Sequence, residues 1–180
     1  MDVFCYHRDR VGSTPLRQQL SESHWAYMDA FQDRMIARGP TFTDETLTGS
    51  VHIVSLPDPA AARAFAFDEP CYQAGAYRDV LIRRWESLSD RTMYDPSVGS
   101  DDSERFLVLG FTVAPTTERV EAPYRPGTIV CGELLSDDGI HVLGAAALVQ
   151  PAVAGDVRDV LPERHYAAVE VHRWDFGGRR

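Results

Sequence analysis

The chain has 180 residues, 44% hydrophobic and 25% charged, enough for one large domain or two small ones with a real core. Its net charge of −9 argues against nucleic acid as a partner, because phosphate binding needs a basic stripe. All 18 basic residues are arginine, which excludes lysine Schiff bases, pyridoxal phosphate anchoring and a lysine-bearing P-loop.

No stretch approaches the roughly 18 apolar residues of a membrane span. The opening residues, with Asp2, His7, Arg8 and Asp9, are unlike a signal peptide. Cys5, Cys71 and Cys131 are odd in number and far apart, and read as reduced thiols. A cytoplasmic protein with no membrane partner is the expectation, and heavy Arg and Ala usage fits a GC-rich bacterial source.

Val3 to Arg8 alternates and is rich in aromatic and β-branched residues, which predicts a strand. A polar loop to Ser13 leads to a helix, from about Ser21 or from Pro15, running to Arg38. Its stripe of Leu20, His24, Met28, Phe31 and Met35 steps by three and four. Gly39 reads as the helix stop and Pro40 as the block to continuation. A turn at Thr43-Asp44-Glu45 precedes the strand Ser50 to Leu56. Asp58-Pro59 is an N-cap followed by proline at the first helical position, starting a helix to Phe67. Glu69-Pro70 starts a second short helical turn that Gly75 ends, and Tyr77 to Trp85 is the closing strand. The order is β-α-β-α-β.

The polar segment 89–104 reads as a linker. Beyond it the spacing predicts strands Phe106 to Val113, Thr128 to Leu134, Leu143 to Val149 and Ala167 to Trp174, with a short helix near Ala154 to Leu161. Pro115, Pro123 and Pro126 forbid a regular helix where the first half carries its long one. Two echoes join the halves. Tyr77-x-x-Val80-x-Ile82-x-Arg84-Trp85 recurs as Tyr166-x-x-Val169-x-Val171-x-Arg173-Trp174. Gly49-Ser50-Val51-His52-Ile53-Val54 recurs as Gly144-Ala145-Ala146-Ala147-Leu148-Val149. The expected fold is therefore α+β: two ferredoxin-like repeats, 1–88 and 105–180, packed sheet to sheet as a pseudo-dimeric α+β barrel within one chain. The second repeat would lack the site helix, and a further homodimer stays open.

Within 3–86 the residues resemble the YciI-related (YCII) family of small dimeric α+β barrel proteins. The resemblance rests on Tyr6-His7-Arg8-Asp9-Arg10, Ser23-His24-Trp25-Ala26-Tyr27-Met28-Asp29, Met35-Ile36-Ala37-Arg38-Gly39-Pro40, Gly49-Ser50-Val51-His52-Ile53-Val54 and Asp68-Glu69-Pro70-Cys71-Tyr72. It implies a site built on a histidine and a carboxylate. The histidine falls on His24, and the position before the proline, usually Asp in the family, is Glu69 with Asp68 one step earlier. Either acid could partner His24. Members with assigned chemistry look like lyases of the dehydrochlorinase type.

A neutral imidazole beside a carboxylate and facing a cavity can abstract a substrate proton. On an apolar stripe it can equally be a core histidine satisfied by a carbonyl, and Glu69 can simply cap its helical turn. Arg8 and Arg17, absent from the second copy, are candidates for binding a substrate carboxylate or phenolate, with Tyr6, Tyr27 and Tyr72 beside them. Arg84 and Arg173 recur and read as structural. The six histidines lack metal-site spacing, and no phosphate loop, nucleophile elbow or dinucleotide fingerprint appears, so no cofactor and no metal are expected. The sequence thus points to a cofactor-independent lyase or isomerase acting on a small oxygenated or aromatic metabolite, fitting secondary metabolism. A non-catalytic binding or scaffold module and a cofactorless monooxygenase are the alternatives.

Overall fold

The structure is a computed structural model that describes residues 1–95, 103–119, 127–150, 157–161 and 163–179. In the first half β1 (Asp2–Asp9) is followed by α1 (Thr14–Gln19) and α2 (Ser21–Asp29), then β2 (Met35–Thr43) and β3 (Thr46–Ser55). Helices α3 (Pro59–Phe67) and α4 (Pro70–Gln73) lead into β4 (Tyr77–Ser87). The second half contributes β5 (Arg105–Thr116), β6 (Thr128–Leu135), β7 (Val142–Val149) and β8 (Ala168–Trp174).

Eight antiparallel strands close into one barrel in the order β1-β3-β2-β8-β5-β7-β6-β4. Each half supplies four neighbours in the same order, β4-β1-β3-β2 and β8-β5-β7-β6. Rather than stacking face to face, the two sheets meet along their edges. One seam pairs Thr41 with Trp174 and Phe42 with Arg173, and the other pairs Arg84 with Leu135 and Trp85 with Leu134. Closure gives every described strand a neighbour on both sides, which limits the edge open to aggregation. The recurring Arg-Trp pairs therefore mark the two seams, and Arg173 stacks on Phe42 at 4.8 Å rather than on a tryptophan.

Alternation along each strand separates two cores. Phe4, Tyr6, Val51 and Ile53 point into the barrel, where they meet Leu107, Leu109, Leu148 and the seam tryptophans. Val3, Cys5 and Val54 point outward and pack under the helices against Met28, Phe65 and Ala66. The outer face of the second half is covered differently. Val108, Cys131, Ala145 and Ala147 pack under Leu161 and Tyr166, beside single 3-10 turns at Val157–Val160 and Glu163–His165.

The long helix expected to Arg38 ends at Asp29, and the nine residues from Ala30 are a turn, the 3-10 turn Gln32–Arg34 and the start of β2. A register shift between Met35 and Ala37 explains the helix-like spacing. The extra residue turns Met35 toward the helices and Ala37 into the barrel. Gly39 is not a helix stop. A Cβ there would lie 1.9 Å from the Asp175 carbonyl and 2.6 Å from the Trp174 indole, so only glycine permits this approach. The first half is thus β-α-β-β-α-β in order, one strand more than expected.

Just before the linker the Leu88 N–H donates to the Cys131 carbonyl, and within it Met93 enters the barrel core, its backbone N–H bonding the Ile36 carbonyl. Pro115 lies near the end of β5. Pro123, Pro126 and residues 154–156 of the expected helix lie outside the described residues, and the rest of that helix is the 3-10 turn Val157–Val160 followed by Leu161. No helix among the described residues is long and apolar enough to cross a membrane.

Candidate active site

Four segments build the site on the outer face of the first-half sheet. From the strands, His7 of β1 and Ser50 and His52 of β3 face the helices, because they share the parity of Cys5 and Val54. From above, α2 lowers His24 and the start of α4 supplies Glu69. The side chain of Glu69 caps α4, accepting from the Tyr72 backbone N–H at 2.8 Å through Oε2. Its other oxygen, Oε1, accepts from His24 Nδ1 at 2.7 Å. Glu69 is fully buried, and the His24 side chain retains 13% exposure.

Burial alone would raise the Glu69 carboxyl. The hydrogen bond and charge of His24, with the backbone N–H groups of Cys71 and Tyr72, outweigh it and hold the group at about 2. Glu69 is therefore a carboxylate at neutral pH, and a carboxylate can only accept. That fixes the proton on His24 Nδ1 and leaves Nε2 as the basic nitrogen. Among the described residues nothing bonds Nε2.

His24 lines a cleft of about 220 Å³, enough for a single-ring molecule, since an engineered cavity of about 150 Å³ holds benzene. Arg17, Ser21, Trp25 and Met28 form its helical side, and Arg38, Pro40, Phe42, Ser50 and His52 its strand side. Arg17 is nearly buried, pairs with Asp9, donates to Ser50 Oγ at 2.7 Å and lies 4.9 Å from the centre of the Tyr77 ring. Arg38 bonds Asp29 and Gln32, while its Nε is buried without a partner. Both guanidiniums are charge-paired, Arg17 with Asp9 and Arg38 with Asp29, so they offer the cleft hydrogen-bond donors rather than uncompensated charge.

His52 is held neutral. Burial comes first, and the charges of His24, His7, Arg17 and Arg38 push its pKa further down. Its ring lies 5.7 Å from His24 and 5.8 Å from His7, with Nδ1 buried and unpartnered. His7 is pushed down to about 4 by burial and bonds the Ala66 carbonyl through Nε2 at 2.9 Å. It is the satisfied core histidine that a lone apolar-face imidazole usually is.

Among the described residues, His24, Glu69 and Cys71 offer donor atoms within 4.8 Å of one another. Both Glu69 oxygens already accept hydrogen bonds, and burial, with the nearby Glu69 charge, pushes the Cys71 thiol up to about 12. A cation binding all three would have to displace the Nδ1 proton and ionise that thiol, a poor fit for a resident metal.

Of the residues singled out in the sequence, the structure brings together His24, Glu69 and Arg17. Asp68 is exposed at the end of α3, on the solvent side of Glu69. Tyr6 and Arg8 have the opposite parity to His7. Tyr6 is buried in the barrel, bonding Thr41 at 3.1 Å, and Arg8 pairs with Asp79 at 2.6 Å. Tyr27 donates to the Phe65 carbonyl at 3.1 Å, and Tyr72 packs on Phe67, so neither lines the cleft. The unforeseen members are Arg38, Ser50 and His52. The signal for Ser50 and His52 was the second echo, where they stand opposite Ala145 and Ala147.

An eight-stranded α+β barrel with a histidine–carboxylate pair under its first-half helices defines the class. Residues 1–86, just under half of the chain, match the YCII-related domain. No curated protein matches it. Among solved structures, 5-chloro-2-hydroxyhydroquinone dehydrochlorinase from Burkholderia phenoliruptrix, in complex with 2,5-dihydroxybenzoquinone, is 26% identical. That match covers 48% of this chain and 94% of the dehydrochlorinase, with a TM-score of 0.46. An anthrone oxidase-like protein aligns over 99% of this chain and 92% of its own at 11% identity and a TM-score of 0.57. A candidate monooxygenase from Fusobacterium nucleatum subsp. nucleatum aligns over 97% of this chain and 91% of its own at 8% identity and the same TM-score. The last two share the whole barrel, and their likeness is one of fold.

Proposed function

We propose that the chain is a cofactor-independent lyase or isomerase, with His24 as general base and Glu69 as the carboxylate that orients it. The observation that carries this reading is the 2.7 Å Nδ1–Oε1 bond beneath a cleft that His24 lines. Nε2 takes a proton from substrate carbon or oxygen, and the buried Glu69 charge stabilises the imidazolium that forms. In an elimination, the electron pair left on carbon forms the new double bond as the leaving group departs with its bonding pair. In an isomerisation, the same imidazolium returns the proton to a second carbon. The apolar walls and the two guanidiniums suit a single-ring, oxygenated anion such as a phenolate, with Arg17 and Arg38 as binding residues.

The two halves fit a duplicated ferredoxin-like unit. The sheet registers equate the same residues that the sequence echoes equate: His52 with Ala147, Ser50 with Ala145 and Gly49 with Gly144. In this reading the second half is the built-in partner that completes the barrel and is relieved of its own site.

The test is a turnover screen of hydroxyquinones, halophenols and enolisable keto acids with the wild type and His24→Asn, alongside melting temperature. Loss of turnover with an unchanged melting temperature is expected. Wild-type turnover in His24→Asn would sink the proposal. Oxygen uptake with a phenol would move the chain to the monooxygenases that use this barrel.

A further inference from the structure

We propose that residues 175–179, which follow β8, form a strap that closes the His24 cleft and is latched by Arg179. The strap's base is fixed to β2. Asp175 N–H donates to the Pro40 carbonyl at 3.2 Å, and Gly177 N–H donates to the Arg38 carbonyl at 2.9 Å. Phe176 pins it further, packing edge-on to Trp174 at 5.2 Å and lying under the Arg105 guanidinium at 4.4 Å. From there Gly177 and Gly178 cross the cleft and form part of its wall.

The crossing requires glycine twice. A Cβ on Gly177 would lie 2.8 Å from the Gly39 Cα. Gly178 has φ +122°, and a Cβ there would lie 2.8 Å from an Arg38 guanidinium nitrogen. Backbone this close to Arg38 covers one of the two cations that line the cleft. Gly178 is the joint of the strap, between the anchored Gly177 and the latch.

The latch is Arg179. Its two terminal nitrogens bond both oxygens of Glu22 at 2.8 and 2.7 Å, and its Nε bonds Asp29 Oδ2 at 2.8 Å. The other oxygen of Asp29 bonds Arg38 at 3.1 Å, so one carboxylate joins the latch to the cleft wall. Arg179 also lies 5.9 Å from the centre of the exposed Trp25 ring. Glu22, Asp29 and Trp25 all belong to α2, the helix that carries His24. The latch is largely exposed, so each of its ion pairs is weak and salt-screened, while the base of the strap is held by backbone hydrogen bonds and a packed aromatic ring. A strap firm at its base, jointed at Gly178 and weakly held at its latch opens without unfolding the barrel. The second half of the chain thereby controls access to the site of the first, whether or not His24 acts as a base.

Diethyl pyrocarbonate modification, read residue by residue by mass spectrometry, measures this access directly. Exposed His165 is the internal reference and fully buried His7 the unfolding control. Arg179→Glu should speed modification of His24 roughly fivefold relative to His165, the shift a surface ion-pair network of this size supplies. Raising the salt should do the same to the wild type. The charge swap Glu22→Arg with Arg179→Glu should slow it again. Should Arg179→Glu expose His7 as well, the wild-type salt titration decides. A His24 rate that ignores both the latch substitution and salt overturns the proposal.

Discussion

The outer faces of the two half-sheets are built on one register and put to different uses. Pairing places Arg38, Ser50, His52 and His7 where the second half has Cys131, Ala145, Ala147 and Gly110. In the first half, Tyr77 packs on His7 at 4.6 Å. In the second, Tyr166 occupies the corresponding place against Gly110, where a Cβ would lie 2.7 Å from its ring. The second-half face is small and apolar, with the Tyr166 hydroxyl above it as a buried polar atom without a partner. The face carrying His52 Nδ1 and Arg38 Nε holds buried polar atoms without partners, a penalty of about 1–3 kcal/mol each. Strain of that kind is kept where it serves a site.

The sharpest break of the comparison is functional. Glu69→Gln and His24→Asn should each lower turnover by roughly 10²–10⁴, the usual contribution of a positioned acid–base group. Ala147→Gly in the second half should leave turnover unchanged. Paired rate measurements on these three variants check it, and a matching loss from Ala147→Gly would erase the distinction between the faces.

Transplanting one imidazole should cost less, but still much. Ala147→His would bury a ring among Val108, Cys131 and Ala145 with no polar partner, lowering stability by about 2–4 kcal/mol in urea denaturation. His52→Ala should cost less than that, because the orphaned Nδ1 leaves together with the packing it supplied.

Acid should act on the first half before the second. The unfolded chain protonates His7 near pH 6.5, whereas the folded chain resists until about 4. Between those values the unfolded state binds more protons, so stability is full above pH 6.5 and falls as pH drops through the window. The loss from His7 amounts to at most about 3 kcal/mol, and His52, held well below its usual value, adds in the same direction. Glu69 adds a further loss between 4.5 and about 2. Melting temperature against pH should show this slope, flattened in His7→Gln, whose amide can still donate to the Ala66 carbonyl.

The smallest effect separates two adjacent acids. Asp68→Asn, at an exposed helix end, should change stability by less than about 0.5 kcal/mol and leave turnover intact. An activity loss comparable to that of Glu69→Gln would return Asp68 to the site.

Much of this was legible because local chemistry wrote it. Asp58-Pro59 and Glu69-Pro70 announce caps, and both side chains accept the backbone N–H three residues on. β2 was hidden because its bulge at Met35–Ala37 imitates helical spacing and Gly39-Pro40 imitates a helix end. What required glycine at position 39 is Trp174 and Asp175, far along the chain and invisible to local pattern. Tyr6 and Arg8 were misplaced although parity was readable, since neighbours of His7 on a strand must face the other way. Ser50 and His52 stood in plain view as the polar members of an echo whose second copy is alanine. Arg38 is not legible as a cleft residue from a spacing that reads as helix.

The most direct test of the account is solvent-deuterium exchange into ring and α-carbon positions of bound phenolic and keto-acid anions, followed by NMR in D₂O. Wild-type protein should label at least one class of compound, and His24→Asn should abolish the labelling while its melting temperature stays unchanged. Labelling that survives in His24→Asn, or a ligand that binds the cleft without exchange in the wild type, would contradict His24 as the base.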